Sequence, residues 1–148
     1  MNESPNPKVL CLQGANMEYL GIRQPEIYGT TDLQTLHAML LDEAKGLGID
    51  LDIRVSNLEG EAIGWIYECD RAGYAGLLMN PAGFSYAGYA LRDCLRGIRM
   101  PAVEVHMSNI ERRAMKSVTA EACVGVVTGF GLRSYFHGLR ALTERLKT

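Results

Sequence analysis

Five short apolar runs, each followed by a segment of different periodicity, constrain this chain more than any other feature. They are VLCLQG (Val9 to Gly14), DLDIRVSN (Asp50 to Asn57), GLLMNP (Gly76 to Pro81), PAVEVHMSN (Pro101 to Asn109) and ACVGVVTGFG (Ala122 to Gly131). Runs of this length read as strands, the third one stopped by its proline. The intervening stretches read as helices. In TDLQTLHAMLLDEAKGLG, Asp32 or Thr31 can cap a helix, and Gly46 or Gly48 can end it. Its apolar stripe is Leu33, Leu36, Leu40 and Leu41. EGEAIGWIYECDRAG carries Ile63, Ile66 and Tyr67 at helical spacing. Tyr86 to Gly97 turns Leu91, Cys94 and Leu95 inward, and LRSYFHGLRALTERL closes as a helix. Strands separated by helices need crossovers, which make them parallel and the crossovers right-handed. The expected class is α/β: a three-layer, doubly wound fold around a five-stranded parallel sheet. Runs this apolar suit a sheet covered on both faces.

A chain of 148 residues fits one domain. Residues 8–148 are expected to form it, with 1–7 as a disordered tail. The formal charge is −2 and no block of like charge stands out, which argues against a nucleic-acid partner. No apolar run approaches the ~18 residues of a membrane span. MNESPNPK is polar and lacks the apolar core of a signal sequence, so a cytoplasmic location is expected. Cys11, Cys69, Cys94 and Cys123 form no CxxC pair, and His37, His106 and His137 are scattered. The cysteines read as reduced core residues and no zinc site is expected.

In a doubly wound sheet, ligands bind beyond the carboxyl ends of the strands. That edge collects Asn16, Asn57 and Asn80 from the first three runs and His106, Ser108 and Asn109 from the fourth. Alternation along the fourth run puts Glu104, His106 and Ser108 on one side. Polar groups inside a buried sheet need partners or a purpose. A carboxylate beside an imidazole fixes its tautomer and favours its protonated form, which suits a general acid. A buried Glu–His hydrogen bond without chemistry is the plain alternative. The NPAG turn (Asn80 to Gly83) opens a helix whose free amides could take an anion; otherwise it is only a tight turn. The backbone at Met107 and Ser108 offers a second place for a carboxylate.

The stretch GIRQPEIYG (Gly21 to Gly29) holds an arginine, a proline and a tyrosine between two glycines. A free tyrosine, with a pKa near ~10, is a poor base at neutral pH. Cations close to it favour the phenolate. Arg23 is near Tyr28 in sequence, and Arg113 is a second candidate.

GANMEYLGIRQPEIYG, SNLEGEAIGWI, the NPAG turn, ALRD and VEVHMSNI, in this order, resemble the type II 3-dehydroquinate dehydratases. The resemblance runs from about Val9 to Leu146 and implies a flavodoxin-like three-layer sandwich. It implies that Tyr28 removes a proton alpha to a ketone, and that Arg23, on a mobile lid, and Arg113 make the tyrosine a better base. Asn16 would hold a water that stabilises the enolate. His106, oriented by Glu104, would protonate the departing hydroxyl. Asn80, Ser108 and the backbone at Met107 would hold a substrate carboxylate, and Asp93 would reach a neighbouring subunit's site. The family implies a dodecamer of four trimers and no metal or cofactor.

The departures cluster. Tyr86 stands where the family usually has a histidine, and Ala114 is nearest to a substrate-binding arginine in a segment about three residues shorter. Gln13 and Ala15 stand where Asn and Pro are common. The proton-transfer set is complete and the set that reads ring hydroxyls is not. The expected function is a carbon–oxygen lyase eliminating water through an enolate, with substrate use altered or relaxed. Alternatives are a relative acting on a different carboxylated ring and a non-catalytic assembly or ligand-binding protein. The last has no need for both a base and an acid.

Overall fold

A computed structural model describes residues 5–148. The expected tail falls partly outside them, at residues 1–4. Five parallel strands form one sheet in the order β2-β1-β3-β4-β5. They are β1 (Lys8–Ala15), β2 (Asp50–Val55), β3 (Gly76–Ala82), β4 (Ala102–His106) and β5 (Gly125–Thr128). The helices are α1 (Pro25–Tyr28), α2 (Leu33–Leu47), α3 (Glu59–Arg71), α4 (Tyr89–Gly97) and α5 (Arg133–Leu146). This is the flavodoxin-like α/β order, with its switch point between β1 and β3.

The three layers follow from the alternation of side chains. Val9 and Cys11 of β1 face one core, shared with Leu36 and Leu40 of α2 and Leu139 and Leu142 of α5. Leu10 and Leu12 face the other, shared with Ala62 and Ile66 of α3 and Leu91 of α4. Each fully buried leucine contributes about 1.5–3 kcal/mol relative to exposure. Asp32 caps α2, accepting the Thr35 N–H at 2.8 Å, and Gly48 ends it in the left-handed region at φ 72°. A Cβ on Gly138 would lie 2.5 Å from Val105 Cγ1, so only glycine lets α5 sit this close to β4.

Several local expectations are corrected. β3 does not stop at its proline; it runs through Pro81 to Ala82. Its pairing with β4 ends at Met79, so Pro81 has only β1 beside it and its missing N–H leaves no ladder bond unmade. β4 ends at His106 rather than Asn109, which takes Ser108 off the strand. The NPAG turn opens a single 3-10 turn, Gly83–Ser85, and α4 starts only at Tyr89. No long helix begins at that turn to offer an anion site. Leu41 and Tyr67 face solvent, 49% and 40% exposed, while Ala44, Ala62 and Cys69 take the inward positions. Among the described residues no helix is long and apolar enough to cross a membrane. Cys11, Cys69 and Cys94 are free and buried, and Cys123 is free and half-buried.

Candidate active site

The carboxyl ends of β1, β3 and β4 border a small cavity of about 70 Å³. Asn16 follows β1 in a left-handed conformation, φ 77°, and donates its N–H to Asn57 Oδ1 at 2.8 Å. Asn57 in turn donates to Glu18. The side chain of Asn16 lies against Gly83, where a Cβ would sit 3.1 Å from Asn16 Nδ2 and 2.9 Å from Ala15 Cβ. The glycine of the NPAG turn thus makes room for Asn16.

The segment after β1 is a closed loop. Gly21 and Gly29 both have positive φ, at 88° and 84°. A Cβ on Gly21 would lie 3.0 Å from Thr30 O, so the two ends of the segment meet there. Pro25 starts α1 at its first position, as its fixed φ favours. This one turn of helix returns Tyr28 beside Arg23, whose guanidinium carbon is 5.7 Å from the tyrosine ring centroid. Arg113, at the end of the 3-10 turn Ile110–Arg113, reaches the same ring at 5.6 Å. It also donates to Ser108 Oγ at 2.9 Å. Two cations therefore flank one phenol, one from each side of the sequence.

Glu104 and His106 project from β4 on the same side. They are 0% and 5% exposed, with His106 Nε2 2.7 Å from Glu104 Oε2. The other carboxylate oxygen accepts the Thr119 hydroxyl, and Thr119 contacts Ser117 Oγ at 3.1 Å. A buried carboxylate held by two polar partners fixes the orientation of the imidazole. Burial, and then the charge of Glu104, push the nearby Cys123 thiol up to about 12, so it stays protonated at neutral pH. At the end of β3, Asn80 Oδ1 accepts the Ala82 N–H at 3.0 Å, and Asn80 Nδ2 donates to the Tyr135 hydroxyl at 2.7 Å. Ala82 sits at φ 47°, a region that favours glycine.

Asn16, Arg23, Tyr28, Asn80, Tyr86, His106, Met107, Ser108 and Arg113 all line the cavity. Glu104 stands behind His106. Asp93 does not line it; it lies on α4 with its side chain 69% exposed, 3.7 Å from both Arg92 and Arg96. Ala114, left-handed at φ 52°, does not line it either. The remaining wall is Gly83 with apolar side chains: Ala15, Met17, Leu20, Ala82, Ile110 and Met115. Thr119, Tyr135 and Gln13 were not expected at the site. The lone glutamine inside the apolar run VLCLQG was the available signal, because a buried amide needs partners. Thr119 had none, being 15 residues from the carboxylate it holds.

Comparison with known proteins agrees with this fold. The family model described as dehydroquinase class II matches residues 7–143. A 3-dehydroquinate dehydratase of Clostridium perfringens (strain SM101) is 38% identical, covering 95% of this chain and 99% of the relative. One of Bacillus cereus (strain AH820) is 41% identical, covering 95% and 97%. The crystal structure of type II dehydroquinase from Butyrivibrio crossotus superposes with a TM-score of 0.89 at 33% identity, covering 94% of this chain and 99% of that one. On the family match and these identities, the chain belongs to the class II dehydroquinases, a family of hydro-lyases.

Proposed function

We propose that the chain dehydrates 3-dehydroquinate, or a close carboxylated ring ketone, through an enolate. The observation that carries this reading is Tyr28 between Arg23 and Arg113 at the mouth of a cavity that also holds the His106–Glu104 pair. The Tyr28 oxygen takes the proton alpha to the ketone. The electron pair moves into the enolate, whose oxygen is stabilised by a water on Asn16. As the enolate collapses, the beta hydroxyl leaves with a proton from His106, so water departs and a conjugated enone remains. Arg23 and Arg113 lie against the Tyr28 ring, 5.7 and 5.6 Å from its centroid. Glu104 holds the imidazole in one orientation through its 2.7 Å contact with Nε2. Asn80, Ser108 and the backbone at Met107 hold the substrate carboxylate. No step needs a metal or cofactor. The test is direct: 3-dehydroquinate is added and the enone absorbance is followed. A protein that binds it without producing the enone would be the non-catalytic relative.

A second reading concerns the substrate. Tyr86 is 62% exposed and lines the cavity, and apart from the polar residues already named the wall is apolar. Arg23 and Arg113, the arginines that line the cavity, both lie against the Tyr28 ring, which leaves neither for a ring hydroxyl. Each missing hydrogen bond to a hydroxyl is worth about 0.5–1.5 kcal/mol. A ring with fewer hydroxyls is then the better substrate, and Tyr86→His should raise kcat/KM for 3-dehydroquinate. Ordinary efficiency of the parent on 3-dehydroquinate, or a fall on Tyr86→His, rules this second reading out. The exposed Asp93 is assigned to a neighbouring subunit's site in a homo-oligomer of trimers assembling to a dodecamer. A monodisperse monomer at micromolar concentration would contradict that.

A further inference from the structure

Gln13 and Tyr135 are wholly buried and do not line the cavity, yet both are joined to a residue that does. The connection has a direction. The Ala82 N–H can only donate, and it donates to Asn80 Oδ1 at 3.0 Å. The Asn80 amide therefore turns Nδ2 toward Tyr135 and donates to its oxygen at 2.7 Å. Tyr135 then donates to Gln13 Oε1 at 2.7 Å. Gln13 is left with Nε2 facing His37 Nε2, 3.4 Å away on half-buried α2 surface. Every link donates the same way, from the Ala82 backbone to the imidazole. Reversing one amide alone would set donor against donor inside the core, which is costly. Burial raises the Tyr135 phenol well above its usual range, so it remains a donor. The second Nδ2 hydrogen of Asn80 has only Met17 Sδ, 3.5 Å away on the cavity wall. A thioether is a weak acceptor that a carboxylate displaces readily.

We propose that Tyr135 and Gln13 are positioning residues that hold the Asn80 amide with an N–H toward the cavity, the orientation an anionic substrate requires. This rests on the reading of Asn80 as a contact for the substrate carboxylate. That contact is the same before and during the reaction, so its loss raises KM and spares kcat.

The test uses crystal structures and steady-state kinetics of two variants. Tyr135→Phe removes the hydroxyl that Asn80 donates to and keeps the ring. Gln13→Met keeps the volume and removes the acceptor, so the Tyr135 hydroxyl loses the partner that holds it against Asn80 Nδ2. In either variant Asn80 Oδ1 is expected to keep the Ala82 N–H, while the amide turns about that bond and Nδ2 leaves its place beside Met17 Sδ. KM for 3-dehydroquinate is expected to rise roughly tenfold, with kcat within about twofold of the parent. A variant structure with Asn80 unmoved overturns the proposal, as does an unchanged KM with Asn80 displaced. Should Tyr135→Phe not fold, Gln13→Met decides. A parent inactive on 3-dehydroquinate would defeat the proposed reaction, while the variant structures would still decide whether these two residues hold Asn80.

Discussion

Arg23 and Tyr28 reach the cavity from an exposed loop between two glycines, whereas Glu104 and His106 reach it from inside the sheet. The loop side is built from local geometry. Arg23 is exposed and Tyr28 only half-buried, and their mutual contact is a cation over a ring. Such contacts give about 0.5–1 kcal/mol at exposed sites. The strand side is built from long-range bonds: β4 supplies the carboxylate and imidazole, and Thr119 fixes the carboxylate from another turn. A side chain placed on a loop can be reoriented without disturbing the core. The Glu104–His106 pair is buried in the sheet and cannot be removed without cost to the fold.

His106→Leu should break both functions of the strand side. It removes the proposed acid, costing ~10²–10⁴ in rate. It also leaves Glu104 buried with its imidazole partner gone, costing about 3–5 kcal/mol of stability by urea unfolding. Loss of rate with unchanged stability would mean that Glu104 finds another partner. Thr119→Val tests the same carboxylate from its other oxygen. The expected loss is about 1.5–3 kcal/mol, because the bond goes to a charged group. Activity should fall less than for His106→Leu.

Ala82→Gly probes the turn under Asn80. The alanine sits at φ 47°, ψ −121°, where a side chain is strained. Relief of about 1 kcal/mol should raise Tm by about 2–4 °C. A lower Tm would mean that the added chain entropy of glycine outweighs the strain. The smallest effect concerns His37, which burial holds below its ordinary value of 6.5. Above that pH the imidazole is neutral in both folded and unfolded chains, and its contribution is fully present. As pH falls below it the unfolded chain takes the proton first, and stability declines until the folded value is reached. His37→Gln should flatten the fall in urea midpoint between about pH 7 and 5. An unchanged slope would assign the decline to other groups.

The strand side was more legible in the sequence than the way it is held. Alternation alone paired Glu104 with His106, because a strand has a period of two. It could not find Thr119, whose approach depends on how the chain turns before β5. Strand ends were missed for a similar reason. Pro81 reads as a stop unless one knows that β4 has already parted from β3 at that level. The inward faces of α2 and α3 were misjudged at Leu41 and Tyr67, since smaller residues, Ala44 and Ala62, fit against the sheet there. On the loop side, the glycines and proline of GIRQPEIYG marked a turn, and its short helix accounts for how Arg23 and Tyr28 meet five residues apart. Arg113 joins them only through the fold, from beyond β4.

The proposed role of Tyr28 as the base is tested most directly by the enone absorbance produced from 3-dehydroquinate by the parent and by Tyr28→Phe. Only a hydroxyl is removed, from a half-buried position, so stability should stay within about 0.5 kcal/mol. The predicted result is turnover by the parent and a loss of ~10²–10⁴ in the variant. Near-parental turnover by a folded Tyr28→Phe would contradict it, and the proton would have to be taken by another group.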